Sequence, residues 1–344
     1  MAKKNIPNII LSSFLFSIFS FNYGCTSMAA SAEEYYSIGM AYFELGKFEE
    51  AERWLNRAKT ADRTMTASQY NLGRLAFERQ RYHEAAGYFE EILKRDPNNV
   101  LALRAAAYTR IKTGDIDIAD RHYKKLLELV PESADDGYNH ALVLYAMERY
   151  GEAEEVLVKY PHALEQRDSL LLYSRSQRAQ NKPEAIDNYA KWLGVNSDLI
   201  VQYEYAQLLE HHELYARALE EYRTLLSQTT SPNTEPKRSN IRYSIARLLL
   251  IADYDSGEGI TELETAVSEG FNDIEALEEL LSGGNVSPAN MDSIRLIINN
   301  MRQRTPNNAE AEQDQTDQNE QNPSGQRGSS GLPETGTGVN SAAP

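Results

Sequence analysis

The feature that most constrains this chain is a repeat. The stretch Tyr70–Asn99 reads as two short amphipathic helices, with Leu72, Gly73 and Ala76 on one face of the first and Ala85, Phe89 and Ile92 on one face of the second. The polar turn Glu78-Arg79-Gln80-Arg81 separates them. Asp96-Pro97-Asn98-Asn99 ends the pair, because proline cannot continue a helix and disfavours helical geometry in the residue before it. Neither helix can bury its apolar stripe alone, so the unit needs neighbours of its own kind. They are present. Thirty-four residues upstream, Gly73, Ala85 and Phe89 become Gly39, Ala51 and Leu55; the same step downstream turns Ala85, Phe89 and Pro97 into Ala119, Tyr123 and Pro131.

This pattern resembles the tetratricopeptide repeat: a bulky residue, Leu-Gly, an aromatic, then Ala, Phe or Tyr, Ala and Pro. In that register residues 32–65, 66–99 and 100–133 are three consecutive repeats without insertion, with Ala51, Ala85 and Ala119 at the tightest contact. Further along, the pattern loosens but persists. Tyr150 and Ala153 mark a fourth unit, Ala185, Tyr189 and Trp192 a fifth, Tyr215, Ala218 and Tyr222 a sixth. Ile241–Ala266 reads as a seventh pair with Gly259 in place of the tight alanine, and Ile274–Leu281 and Pro288–Arg304 as closing helices over the last apolar face. The resemblance implies an all-α fold, a right-handed solenoid of about six to seven helix pairs spanning residues 32–304.

Both ends read differently. Lys3 and Lys4 precede an apolar run from Ile9 to Phe21, too short to span a bilayer, for which about 20 residues are needed. The segment predicts an export signal over residues 1–24 and a short tether over 25–31. Cys25, the one cysteine of the chain, follows glycine just after the run, as in bacterial lipoprotein signals, although Asn22 and Tyr23 depart from the usual lipobox. The rival reading is cleavage after Ala32 at Ala30-Ser31-Ala32, which yields a soluble exported protein. Residues 305–344 have no apolar periodicity and predict a disordered polar, acidic tail. Within it, Leu332-Pro333-Glu334-Thr335-Gly336 spells a sortase motif; with no apolar segment and basic end after it, the match is read as coincidence.

Composition narrows the function. A formal net charge of −16 opposes binding to nucleic acid and anionic membrane surfaces. A single cysteine excludes an intrachain disulfide framework and a cysteine-based metal site. No base lies beside a nucleophile in a recognisable pattern, and His211-His212 diverge by about 100° on a helix, so neither an enzyme nor a metal or cofactor site is expected. Glutamate pairs such as Glu49-Glu50 and Glu90-Glu91 read as solvated faces.

Positions 5, 9 and 12 of each repeat share a second stripe of the first helix. In tetratricopeptide proteins that stripe lines the inner wall of the superhelix, and the resemblance makes it the candidate partner-binding groove. Here it contains Tyr36, Met40 and Phe43, then Tyr70, Arg74 and Phe77, then Arg104 and Tyr108, then Tyr138 and Tyr145, with Tyr203, Gln207 and Glu210 further along. Tyrosine and arginine combine large rigid area with polar tips, which suits extended or helical peptide segments of a protein partner. The same aromatics could equally pack between neighbouring repeats. The family's carboxylate clamp is matched only at Asn71, so a chaperone C-terminus is not the expected ligand. The resemblance therefore implies a membrane-anchored extracytoplasmic scaffold in bacterial envelope assembly, facing the periplasm from the cell or outer membrane. The alternative is a ligand-handling accessory lipoprotein of a transport system.

Overall fold

Helix ends in this chain sit where local chemistry stops the backbone ladder. The computed structural model describes residues 31–231, 234–252, 256–283 and 285–303. The expected export signal, Cys25, the acidic segment from residue 305 and its LPETG stretch lie outside the described residues. Among the described residues every regular element is helical, and the helices divide after Gln80 into two compact units.

The first unit contains α1 (Ala32–Glu44), α2 (Phe48–Ala61) and α3 (Thr66–Glu78). Ser31 caps α1 in a capping box: its hydroxyl accepts from the Glu34 amide at 3.2 Å, and the Glu34 carboxylate accepts from the Ser31 amide at 2.8 Å. Ala51, Leu55 and Ala58 recur at i, i+4 and i+7 and are fully buried where α2 packs on α1 and α3. Ser68, buried on α3, donates to the Leu55 carbonyl at 2.7 Å. Arg79 reaches back to Glu49 at 3.0 Å and Glu52 at 2.9 Å.

The second unit runs α4 (Tyr82–Arg95), α5 (Val100–Thr113), α6 (Ile116–Leu129), α7 (Ala134–Ala146), α8 (Tyr150–Val158), α9 (Arg167–Ala179), α10 (Glu184–Leu193), α11 (Leu199–His211), α12 (Tyr215–Gln228), α13 (Arg238–Ile251), α14 (Ser256–Ser268) and α15 (Ile274–Ser282), followed by α16 over residues 288–303. From α4 to α14 each helix packs against the next, giving successive helical hairpins. Asn99, Ser133, Asp198 and Asp273 cap α5, α7, α11 and α15 through side-chain oxygens that accept otherwise unpaired amides. The small residue at the start of each second helix, Ala85, Ala119, Ala153, Ala185 and Ala218, is fully buried. In α14 that place falls to Gly259, where a Cβ would stand 2.8 Å from Leu250 Cγ; here even alanine is too large.

The hairpin turns share one further device. Gly46 in the first unit, Gly114, Glu148, Asn181 and Glu213 in the second, and Gln80 at the division all have positive φ, between 55° and 79°. Each lies two or three residues before a second helix and reverses the chain through a left-handed residue, as helix C-termini commonly do. Only two of the six are glycine. The last helices close the unit: Ile294, Ile297, Ile298 and Met301 of α16 join Leu277 and Leu280 of α15 over Ala246, Leu250, Leu263 and Ala266.

Candidate functional site

Within the first unit, the expected groove residues of α1 and α3 meet around Asn71. Its side-chain amide donates to Tyr36 Oη at 3.1 Å and to the Ala67 carbonyl at 3.0 Å, and its oxygen accepts from Arg74 at 3.3 Å. The Arg74 guanidinium also lies over the Phe43 ring, 5.1 Å from its centroid. Tyr36, Phe43 and Arg74 are thus held together by a residue that is itself buried. Met40, Tyr70 and Phe77 are half-buried on the same helices.

In the second unit, Arg104, Tyr108, Tyr138 and Tyr145 are half-buried on α5 and α7. Arg104 is engaged within the fold. Its Nε and Nη2 fork onto the buried carboxylate of Asp136, one repeat away on α7, at 2.7 and 2.6 Å. Burial pushes the Tyr138 and Tyr145 hydroxyls up from their ordinary values, so both stay protonated donors at neutral pH.

Continuing the same stripe finds residues that the sequence reading left out. Extending i, i+4, i+7 to α9 gives Leu171, Arg175 and Arg178, and to α13 gives Tyr243, Arg247 and Leu250. Arg175 forks onto Glu204 of α11 at 3.0 and 2.9 Å, and Tyr189 donates to the same carboxylate at 2.9 Å. Arg178 donates to Gln207 at 3.0 Å. Arg247 of α13 pairs with Glu210 of α11 at 2.6 Å, and the Tyr222 hydroxyl donates to Glu210 at 3.2 Å. Burial holds the Glu210 carboxyl above the usual carboxylate range despite Arg247 and Tyr222. Between these helices opens a cleft of about 550 Å³, lined by Arg178, Gln207, Glu210, Tyr215 and Arg247. A smaller one of about 190 Å³ continues past Arg247 to Tyr243 and Glu279.

Glu90 corrects the expectation that the glutamate runs are solvated. It is half-buried and accepts from Arg110 at 3.2 Å and from His122 at 2.9 Å, and the His122 hydrogen bond holds its carboxyl below the usual range. Asp120 is a similar hub, receiving His140, Lys124 and Arg149. These carboxylates join neighbouring helices. Among the described residues no group of three or more His, Cys, Asp or Glu is placed to hold a metal ion, and no helix is long and apolar enough to cross a membrane.

A family model described as "Tetratricopeptide repeat" matches residues 32–64 and 67–99. The chain carries tetratricopeptide repeats. Tetratricopeptide repeats generally serve protein–protein interaction and are generally non-catalytic. The chain is 30% identical over 115 residues to Hsp70-Hsp90 organizing protein 3 of Arabidopsis thaliana; the match covers 33% of this chain and 20% of that protein. Among solved structures it is similar to a tetratricopeptide repeat protein from Parabacteroides merdae, with 21% identity, a TM-score of 0.49, and coverage of 73% of this chain and 97% of that one. It is also similar to YrrB, described as having an unusual peptide-binding site, with 17% identity, a TM-score of 0.47, and coverage of 56% and 96%.

Proposed function

We propose that this tetratricopeptide protein is an exported, lipid-anchored scaffold that receives extended or helical segments of partner proteins along its first helices, in the assembly of a bacterial envelope. One observation carries the binding half of this reading. Within the second unit, consecutive first helices place aromatic and guanidinium groups on the same stripe, half-exposed, while the carboxylates that orient the guanidiniums lie deeper. Tyr and Arg held rigid in this way lose little entropy when they grip a peptide. The anchoring half rests on the apolar run that precedes Cys25. The transport alternative gains less support, because the cleft near Arg247 is open and lined by charged groups, unlike the mostly apolar cavities that enclose small ligands.

The test is crosslinking and capture from intact cells of the source organism, with thermal unfolding as control. Single replacement of Tyr70, Arg74, Phe77 and Tyr108 by alanine is expected to leave melting near wild type while partner capture falls at least tenfold, because interface anchors contribute about 2 kcal/mol or more each. A loss of about 3–5 kcal/mol of stability at Tyr70, Phe77 and Tyr108 would instead make them filler between repeats. In the same cells Cys25→Ala is expected to abolish fatty-acid (palmitate) labelling and release the protein from membranes. Unlabelled wild-type protein beginning at Glu33 would refute the anchor and leave the binding face standing.

A further inference from the structure

The junction that recurs along this chain is open at its first repeat. A second helix packs on the first helix that follows it, as α2 does on α3, α6 on α7 and α8 on α9. Counted from the first residue of each first helix, positions 4, 7 and 11 share one face of that helix. They are Gln69, Leu72 and Ala76 on α3 and Gly137, His140 and Leu144 on α7, and all six are buried. His140 shows what this face meets, since it bonds to Asp120 of the preceding second helix. On α1 the same positions hold Tyr35, Ile38 and Tyr42. Both tyrosines are only half-buried, Ile38 is 37% exposed, and Leu45, next along the stripe, is 69% exposed. Among the described residues no helix precedes α1 to cover them.

The same junction carries a charge pair. Asp120 and Glu154 stand at position 21, on the second helix, and each receives a cation from position 16 of the repeat that follows. Arg149 reaches Asp120 at 3.2 Å, and Lys182 reaches Glu154 at 2.6 Å. Position 16 of the first repeat is Lys47, which precedes α2 as Arg149 precedes α8. Lys47 is exposed and its ammonium lies 6.0 Å from the centroid of the Tyr42 ring; among the described residues no carboxylate pairs with it. An apolar stripe and a lone cation are thus placed where later repeats receive a helix with an apolar face and a carboxylate.

We propose that this end face of α1, with Lys47 at its edge, docks an amphipathic helix of a partner protein that carries a carboxylate and takes the place of a preceding second helix. The chemistry of that helix is given by α6, which presents Asp120 to the next repeat and, two turns later, Leu127 to the core around Ala141 and Leu144. Charge complementarity points away from the chain's own segments. Residues 1–30 contain neither aspartate nor glutamate, and residues 305–344 hold carboxylates without apolar periodicity. A second copy offers no such helix among its described residues, because α6 and α8 already hold Arg149 and Lys182 on these carboxylates. Covering Ile38 and Leu45 supplies affinity, and the ion pair to Lys47 sets the register of the docked helix. This face is separate from the stripe of positions 5, 9 and 12, so it gives the scaffold a second point of attachment, independent of the groove.

The experiment uses the full chain in intact cells of the source organism, with Leu45 replaced by the photocrosslinking residue benzoylphenylalanine and exposed Val195 replaced likewise as a control. Mass spectrometry maps the crosslinked segment. The expected product joins Leu45 to one partner segment of helical apolar period that contains an aspartate or glutamate. Lys47→Glu is expected to lower its yield about tenfold, because like charges brought together at an interface repel, and to leave melting unchanged. Replacing the mapped carboxylate of the partner by lysine is expected to restore the yield to Lys47→Glu. Labelling no stronger than at Val195, crosslinks to residues 1–30 or to a second copy, a partner segment without a carboxylate, or a yield indifferent to Lys47→Glu would each overturn the proposal. Tyr108→Ala, a groove variant, is expected to leave the Leu45 crosslink unchanged, so this proposal and the groove reading fail separately.

Discussion

His140 shows how much one buried side chain can couple this fold to pH. Its Nε2 meets Asp120 at 2.8 Å, Lys124 and Arg149 converge on the same carboxylate, the Tyr123 ring stacks on the imidazole at 6.1 Å, and Nδ1 is buried without a hydrogen-bond partner. Burial lowers the affinity of the imidazole for a second proton, Asp120 opposes this, and the charges of Lys124 and Arg149 add to the lowering. The folded value therefore lies below the free value of about 6.5. As pH falls beneath about 6.5 the unfolded chain binds more protons than the folded one, so the stability contributed by neutral His140 is full above that pH and is lost progressively below it. Asp120 follows at lower pH. Burial raises its carboxyl, but hydrogen bonds from His140 and Lys124 outweigh this, so its contribution is lost as pH falls below about 3.9. The expected outcome is a melting temperature that declines between pH 7 and 5 in wild type and declines less in His140→Gln. Equal slopes would place the titrating group elsewhere.

At the scale of the element, the hairpin turns carry a measurable strain. Glu148 adopts φ 59° in an exposed turn between α7 and α8, where Gly114 does the same work between α5 and α6 at φ 79°. A left-handed conformation costs a non-glycine residue roughly 1–2 kcal/mol, partly offset because glycine loses more freedom on folding, by roughly 0.5–1 kcal/mol. Glu148→Gly is therefore expected to raise stability by about 0.5–1 kcal/mol, read from equilibrium denaturation with an unchanged m-value. Destabilisation would mean that Glu148 makes a favourable contact worth more than its backbone strain. The same position is Gly46, Gln80 and Gly114 in the earlier repeats, so the turn conformation follows from hairpin geometry and the residue type does not.

At the scale of the whole molecule, a repeat array needs an end. The apolar residues of α13 and α14, Ala246, Leu250, Leu263 and Ala266, would face water if α15 and α16 were removed. A chain stopped before Asp273 is expected to bind the dye ANS and to aggregate, while retaining most of its helical signal from residues further up the array. A soluble, dye-silent product would show that the closing helices are dispensable and that the apolar face of α13 and α14 rearranges. The contrast with the tail is physical: segment 305–320 has charge to offer but no apolar face to cover.

What the sequence determined by itself was the architecture, because helix period, proline stops and the recurring small residue are local signals that a 34-residue step repeats. Ala85, Ala119 and Gly259 could be placed at close helix contacts without any coordinates, since only small residues keep such spacing. The tertiary structure decided the partnerships of long polar side chains. Arg104 with Asp136 and Arg175 with Glu204 join residues 32 and 29 positions apart on neighbouring first helices. Arg104 read as a groove residue, Glu90 as a solvated one, and Arg175, Arg178 and Arg247 drew no attention. A flexible arginine can reach several carboxylates on the next helix, and which one it reaches depends on the rotation and offset of packed helices. That geometry, set by the packing of whole hairpins, also turns the carboxylates inward and leaves the guanidiniums at the surface.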